Sequence, residues 1–548
     1  MSPTMTATDE GLDLLNTAGN VGAAREHLTL ALDRAIASQG AEHPVTGALH
    51  RNLALVLQAA GDLAGAEKHY RKALEILTVS LGESHPETAV ALNGYGQLRQ
   101  IQGHIGEAKL LYERSLAILQ ANGAGESLLA ARSMTNIGRL FHDLGMLDDT
   151  AQWYGNAFEV YERELGTGVP DTAGSINNIG TVLDSQGRRD QGLAHLEEAL
   201  AIYERTRDAD HPDIAQVLTN IGRILQGGNR CAEGIACYER ALRIFVSRLG
   251  ENHILVGQVS NNLALAHAAG KDPLRARHYF ERALAICRTQ LGERHANTGT
   301  VLNNLAGFLQ RTGAVDEAAA MARTALEIRE ERLGHEHPVT AQSMETLALA
   351  LMAQRQFERA EPLLTEAAAV FVRTRGPRHP EVGQVQMNLA NCLQALGRRP
   401  AARDCLTRAV TVFTEFYGAH EYTAQASDNL AAVLLMLDEP EDALRASSAA
   451  LAVYQSLGRR GAALAACLSN QGAIRSALGQ DLRARECLRA ALRELENTAG
   501  VSTATLRACL LNLADVECDL GDPVAAEQLR LRADSLVAIK DGAQCPPV

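Results

Sequence analysis

The sequence predicts an all-α fold, an α-solenoid of about twelve helix-turn-helix repeats of 42 residues with a shortened unit before them. Three recurring landmarks predict it. A His-Pro pair stands at His43-Pro44, His85-Pro86, His211-Pro212, His337-Pro338 and His379-Pro380, with worn copies at Val169-Pro170, His253-Ile254 and His295-Ala296. A glycine followed five residues on by alanine recurs at Gly61/Ala66, Gly103/Ala108, Gly313/Ala318, Gly397/Ala402, Gly479/Ala484 and Gly521/Ala526. A further alanine follows seven positions later, as at Ala73, Ala157, Ala241, Ala325 and Ala409, with Ser115 replacing it in the second repeat. The composition agrees, because Ala and Leu are the best helix formers and only 4% of the residues are aromatic.

Each landmark has a local physical job. Proline at the first helical position loses no needed hydrogen bond, and the residue before it can cap that helix. Between residues 295 and 334, Leu302, Leu305, Ala306 and Leu309 share one face of a first helix. Ala318, Ala322, Ala325, Leu326 and Ile328 share one face of a second. Gly313 ends the first helix tightly, and Leu333-Gly334 ends the second. The paired alanines belong where helices cross closely. Such a hairpin must stack on copies of itself, so length alone, which suggests about three or four domains, misleads.

The turn position runs 61, 103, 145, 187, 229, 271, 313, 355, 397, 438, 479 and 521, with two steps of 41 residues. One step back from Gly61 falls on Gly19, with Ala24 and Ala31 in phase. Residues 1–42 are therefore expected to be a degenerate capping unit, 43–345 a regular array and 346–540 a more irregular one. Thr346, Arg355 and Asp438 break the pattern in that last stretch, and 541–548 reads as a disordered tail.

The His85-Pro86-Glu87-Thr88-Ala89 start, the LNNLA core from Leu302 to Ala306, the LEI…LG ending and the 42-residue length together resemble the tetratricopeptide repeat. More narrowly, they look like its kinesin light chain-like subclass, over about residues 9 to 540. The resemblance implies a right-handed superhelix with first helices on the concave face, and binding of peptides there. No motor-associated heptad segment accompanies it, so a kinesin subunit is not implied.

The formal net charge of −13 argues against a general nucleic-acid binder. Lysine occurs only at 68, 72, 109, 271 and 540, a bias toward arginine that suggests a GC-rich bacterial genome. Ten cysteines form no CxxC pair and read as reduced interior residues. No basic run followed by an apolar core opens the sequence, and no apolar run approaches the roughly 18 residues of a membrane span. A cytoplasmic protein without membrane attachment is expected.

Relative to Asn304, first-helix positions −4, −1, 0, +3, +6 and +7 share a face. The reference position is asparagine in ten of twelve repeats, including Asn136, Asn178, Asn220, Asn262, Asn304 and Asn388. Asn177, Asn261 and Asn303 add a second amide beside it. Asparagine is a poor helix-interior residue, so propensity does not explain the row. Two readings stand: the amides hold the backbone of an extended peptide, or they pair with neighbouring repeats and hold the stack. Arg139, Arg223 and Arg311 share that face and would favour acidic residues or a free C terminus in a partner. Pairing of these arginines with Asp143 and Asp184 is the alternative. Positions Ala432, Leu435, Met436, Ala473, Ala477 and Cys518 make the last repeats more apolar. They suit a partner helix or folding back.

No phosphate loop, serine elbow, zinc-protease or EF-hand motif is present. His335-Glu336-His337 looks like a metal cluster, but His337 is an ordinary helix cap. The expectation is a non-enzymatic scaffold with no cofactor and no metal, binding an extended peptide or partner helix. Self-association stays open. The alternative is a regulator whose groove senses a small peptide or metabolite by changing superhelix pitch. An enzyme using the groove is the third reading.

Overall fold

The computed structural model describes residues 21–102, 104–144, 146–228, 230–498 and 502–541. Gly19, the turn positions 103, 145 and 229, and the tail from 542 lie outside the described residues. Among the described residues there are 25 helices and no strand. The chain divides into two compact units, at Phe308/Leu309. The helix Val21–Gln39 is the second helix of the shortened unit, with Ala24, Leu28 and Ala35 fully buried. Repeats are numbered here from the capping residue, the first from His43 and the twelfth from Ser502.

Most repeats begin with a side-chain cap, whereas Val169 and Gly461 make no side-chain capping bond. The Nδ1 atoms of His43, His85, His211, His253, His295, His337, His379 and His420 accept the backbone N–H two residues on, at 3.0–3.3 Å. This satisfies one of the four orphan donors in each of these eight helices. The threonine of the HPxT start has a separate task. Thr46, Thr88, Thr172, Thr298 and Thr340 are buried, and each donates its hydroxyl to the glycine carbonyl six residues back, at 2.7–3.0 Å. Those glycines end the preceding second helix with positive φ, from 82° at Gly166 to 100° at Gly40. One short motif therefore closes one repeat and opens the next.

The small residues sit where aromatic rings or backbones press in. A Cβ on Gly222 would stand 2.8 Å from Cε1 of Tyr238, and one on Gly138 2.6 Å from Cδ1 of Tyr154. Gly192 approaches the Gly180 carbonyl so closely that its Cβ would stand 2.6 Å from that oxygen. Tyr70, Tyr112, Tyr238 and Phe280 are fully buried at equivalent places in their hairpins, each ring stabilising by roughly 1.5–3 kcal/mol on burial. Where the turn glycine is lost, the backbone keeps its conformation: Lys271, Arg355 and Asp438 have φ of 61°, 60° and 62°.

Of the nine described cysteines, Cys287, Cys392, Cys405, Cys467 and Cys509 are buried, and none of the nine is in a disulfide. Burial pushes the thiols of Cys287, Cys392 and Cys509 up to about 11, so they stay protonated and unreactive.

Candidate interaction surface

The first-helix amides form a ladder between repeats. Asn136 donates its Nδ2–H to Asn93 Oδ1 at 3.0 Å, Asn220 to Asn177 at 2.9 Å, and Asn304 to Asn261 at 3.1 Å. In the second unit Asn388 donates to Glu345 Oε1 at 2.6 Å and Asn470 to Asp428 Oδ2 at 3.0 Å. In every case the donor occupies the reference position and the acceptor the −1 position of the preceding repeat. The bond joins repeats 2 and 3, 4 and 5, 6 and 7, 8 and 9, and 10 and 11. At −1 in repeats 3 and 5, Thr135 and Thr219 instead turn their hydroxyls onto their own helix, at 2.9 and 2.7 Å. The ladder therefore has a period of two repeats.

Five of the candidate asparagines, Asn136, Asn177, Asn220, Asn261 and Asn304, are tied up with one another or with Asn93. Asn178 accepts a long bond from Asn177 at 3.4 Å, and Asn178, Asn262 and Asn303 remain half-buried on the face. Arg139 is exposed and donates to Asn136 Oδ1. Arg223 is paired with Asp184 Oδ2 at 2.6 Å, and Arg189 reaches the same carboxylate at 3.4 Å. Arg311, in the second unit with Asn388, is exposed and has no hydrogen bond or ion pair among the described residues.

Two of the acceptors are carboxylates. Burial pushes the Glu345 carboxyl up to about 7, against the bond from Asn388 and with a further push from Glu381. Burial also raises Asp428, against the bond from Asn470. At neutral pH about half of the Glu345 carboxyls therefore keep a proton, which sets this rung apart from the asparagine acceptors of the first unit.

A cavity of about 130 Å³ opens on the first-helix faces of repeats one to three. Leu55, Val90, Leu119 and Leu129 give it an apolar part, while Asn52, Asn93, Gln97, Ser115 and Ser133 give it a polar part. Gly94 creates it. At this ladder position an asparagine has no room, because a Cβ would stand 2.7 Å from Cε1 and 2.9 Å from the hydroxyl oxygen of Tyr70. Ser115, the residue replacing the crossing alanine, donates to the Ala89 carbonyl at 2.8 Å and lies 3.3 Å from the Ser133 hydroxyl. Arg51 at the wall is bound to Glu87. Arg132 is exposed beside the cavity and makes no hydrogen bond or ion pair among the described residues. Sequence reasoning passed over Arg132, although it occupies the −4 position of repeat three on the very face considered.

The apolar stretch of the last repeats leaves Met436 and Cys518 exposed. His335 pairs with Glu330 at 3.0 Å, and among the described residues no group of three or more His, Cys, Asp or Glu side chains could hold a metal. No helix among them is long and apolar enough to cross a membrane.

The tetratricopeptide repeat profile matches residues 13–78, 45–121, 129–205, 171–245, 213–289, 297–371, 340–415 and 381–456. Among curated proteins none matches. Among solved structures, the crystal structure of BtubC (BKLC) from P. vanneervenii is similar, with 24% identity, 43% of this chain and 95% of that one covered, and a TM-score of 0.38. Two crystal structures of a kinesin light chain of Podosopora anserina with nearly identical TPR-like repeats are each 26% identical, with TM-scores of 0.33. They cover 37% and 38% of this chain and 97% and 98% of their own. With the repeat matched over most of its length, and with the caps, turns and close crossings that such hairpins need, the chain belongs to the tetratricopeptide repeat family.

Proposed function

We propose that this protein-interaction scaffold is a non-enzymatic one that holds an extended segment of a partner protein on the faces of its first helices, in the cytoplasm. The partner segment carries acidic residues or a free C terminus. The observation that carries this reading is the cavity at repeats one to three, with the unpaired guanidinium of Arg132 at its edge. An exposed, unpaired cation beside amides and hydroxyls suits a carboxylate, and the apolar wall suits the side chain next to it. Arg223 contributes less, because Asp184 already neutralises it. Arg139 and Arg311 are the further candidates.

The test is a selection from a displayed random-peptide library, with free C termini, against the immobilised full chain. Acidic peptides should be enriched, and Arg132→Glu should weaken them by about 10- to 100-fold, the range of one charge-assisted hydrogen bond. Enrichment of basic or neutral peptides, or equal binding by Arg132→Glu, removes the reading.

A further inference from the structure

In the first unit two histidine caps do a second job. His253 Nδ1 accepts the N–H of Leu255 at 3.2 Å, and His295 Nδ1 that of Asn297 at 3.0 Å. An accepting Nδ1 carries no proton, so the neutral ring holds its proton on Nε2. That second nitrogen lies 2.6 Å from the carbonyl oxygen of Ala59 in His253, and 2.8 Å from that of Ile101 in His295. Both pairs are 194 residues apart, so the second is the first advanced by one 42-residue unit. Ala59 and Ile101 are the last residues of the helices Pro44–Ala59 and Pro86–Ile101. Their carbonyls thus belong to the orphan acceptors at the negative end of a helix, which favours an N–H donor. A third point of approach lies beside them: a Cβ on Gly61 would stand 3.2 Å from Oε1 of Gln290 and 4.0 Å from Cδ2 of His253.

We propose that these contacts are a latch. They bring repeat six and the start of repeat seven back onto repeats one and two, close one superhelical turn of the first unit, and fix its pitch. Leu55 and Gln97, both in the cavity wall, stand one helical turn before the latched residues Ala59 and Ile101. A ligand that spreads repeats one and two must therefore open the latch. This gating rests on the groove reading above, whereas the latch itself does not.

The experiment uses the full chain, with His253→Asn and His295→Asn combined. Asparagine still caps a helix but is too short to reach the distant carbonyl. Hydrogen exchange read by mass spectrometry should quicken about two- to tenfold at residues 57–62 and 99–102, the scale of one net hydrogen bond. Residues 253–258 and 295–300 should keep their exchange, because the caps survive. His85→Asn is the control, since His85 caps in the same way and among the described residues its ring makes no bond to a distant carbonyl; it should change nothing at either place. Unchanged exchange at 57–62 and 99–102, or faster exchange only beside the substituted residues, overturns the latch. No ligand enters this measurement, so a failure here leaves the Arg132 result standing, and the reverse also holds.

Discussion

At Glu345 a single replacement alters the electrostatics of the ladder. Equivalent acceptors in the first unit are the neutral Asn93, Asn177 and Asn261, whereas Glu345 brings a titratable group whose carboxyl is pushed up to about 7 from 4.5. The folded state therefore binds the proton more tightly than the unfolded chain. Below about pH 4.5 the group is protonated in both states and contributes nothing to the difference. Between 4.5 and 7 the unfolded chain ionises first and stability falls by about 1.4 kcal/mol per pH unit. Above 7 the loss is complete, on the order of 3 kcal/mol as an upper limit. Glu345→Gln keeps an acceptor for Asn388 and removes the ionisation. Denaturant titration should show it more stable than wild type by about 2–3 kcal/mol at pH 8, with the gap nearly closed at pH 5. An equal difference at both pH values would show that burial of the charge is not what Glu345 brings to this junction.

The helices and turns follow rules that act within a few residues, which is why so much of them could be read in advance. Pro44, Gly61, Gly82 and their copies are set by local backbone geometry, and Ala66 and Ala73 by a crossing inside one hairpin. The partners of the ladder were not legible in the same way. Asn220 meets Asn177, 43 residues back, only because of the stagger between stacked repeats, and the sequence row alone left peptide binding and stacking equally open. The division at Phe308/Leu309 carries no local mark either, since it falls within the continuous helix Ala296–Thr312 of one of the most regular units. The turns without glycine give a direct test of the local rule. Arg355 holds φ of 60°, a region that disfavours an L-residue by about 1–2 kcal/mol. Arg355→Gly should therefore raise the stability of the second unit by about 1 kcal/mol, less a few tenths for the added freedom of the unfolded chain. Lys271→Gly should act alike in the first unit, while Gly397→Arg should do the reverse. A loss of stability in Arg355→Gly by thermal denaturation would mean that the arginine side chain contributes more than its backbone conformation costs.

For the molecule as an array, the two-repeat period makes the structural unit longer than the sequence unit. Donors lie in repeats 3, 5, 7, 9 and 11, and acceptors in repeats 2, 4, 6, 8 and 10. A solenoid whose stability is a sum of nearest-neighbour terms should then respond differently to the removal of one repeat and of two. Deleting residues 420–460, the tenth repeat, brings the eleventh against the ninth. Asn470 would face Met387 and lose its acceptor, and the half-buried amide would have no partner. Deleting residues 379–460, the ninth and tenth together, brings the eleventh against the eighth. Asn470 would then meet Glu345, a carboxylate that already accepts from an asparagine at that place. The larger deletion removes more buried surface, yet it keeps the ladder in phase. It should unfold at the higher temperature of the two, and Asn470→Ala should lower the melting temperature of the double deletion while leaving that of the single deletion nearly unchanged. If the single deletion is the more stable, or if Asn470→Ala lowers both equally, the alternating bond is not what ties the repeats in pairs.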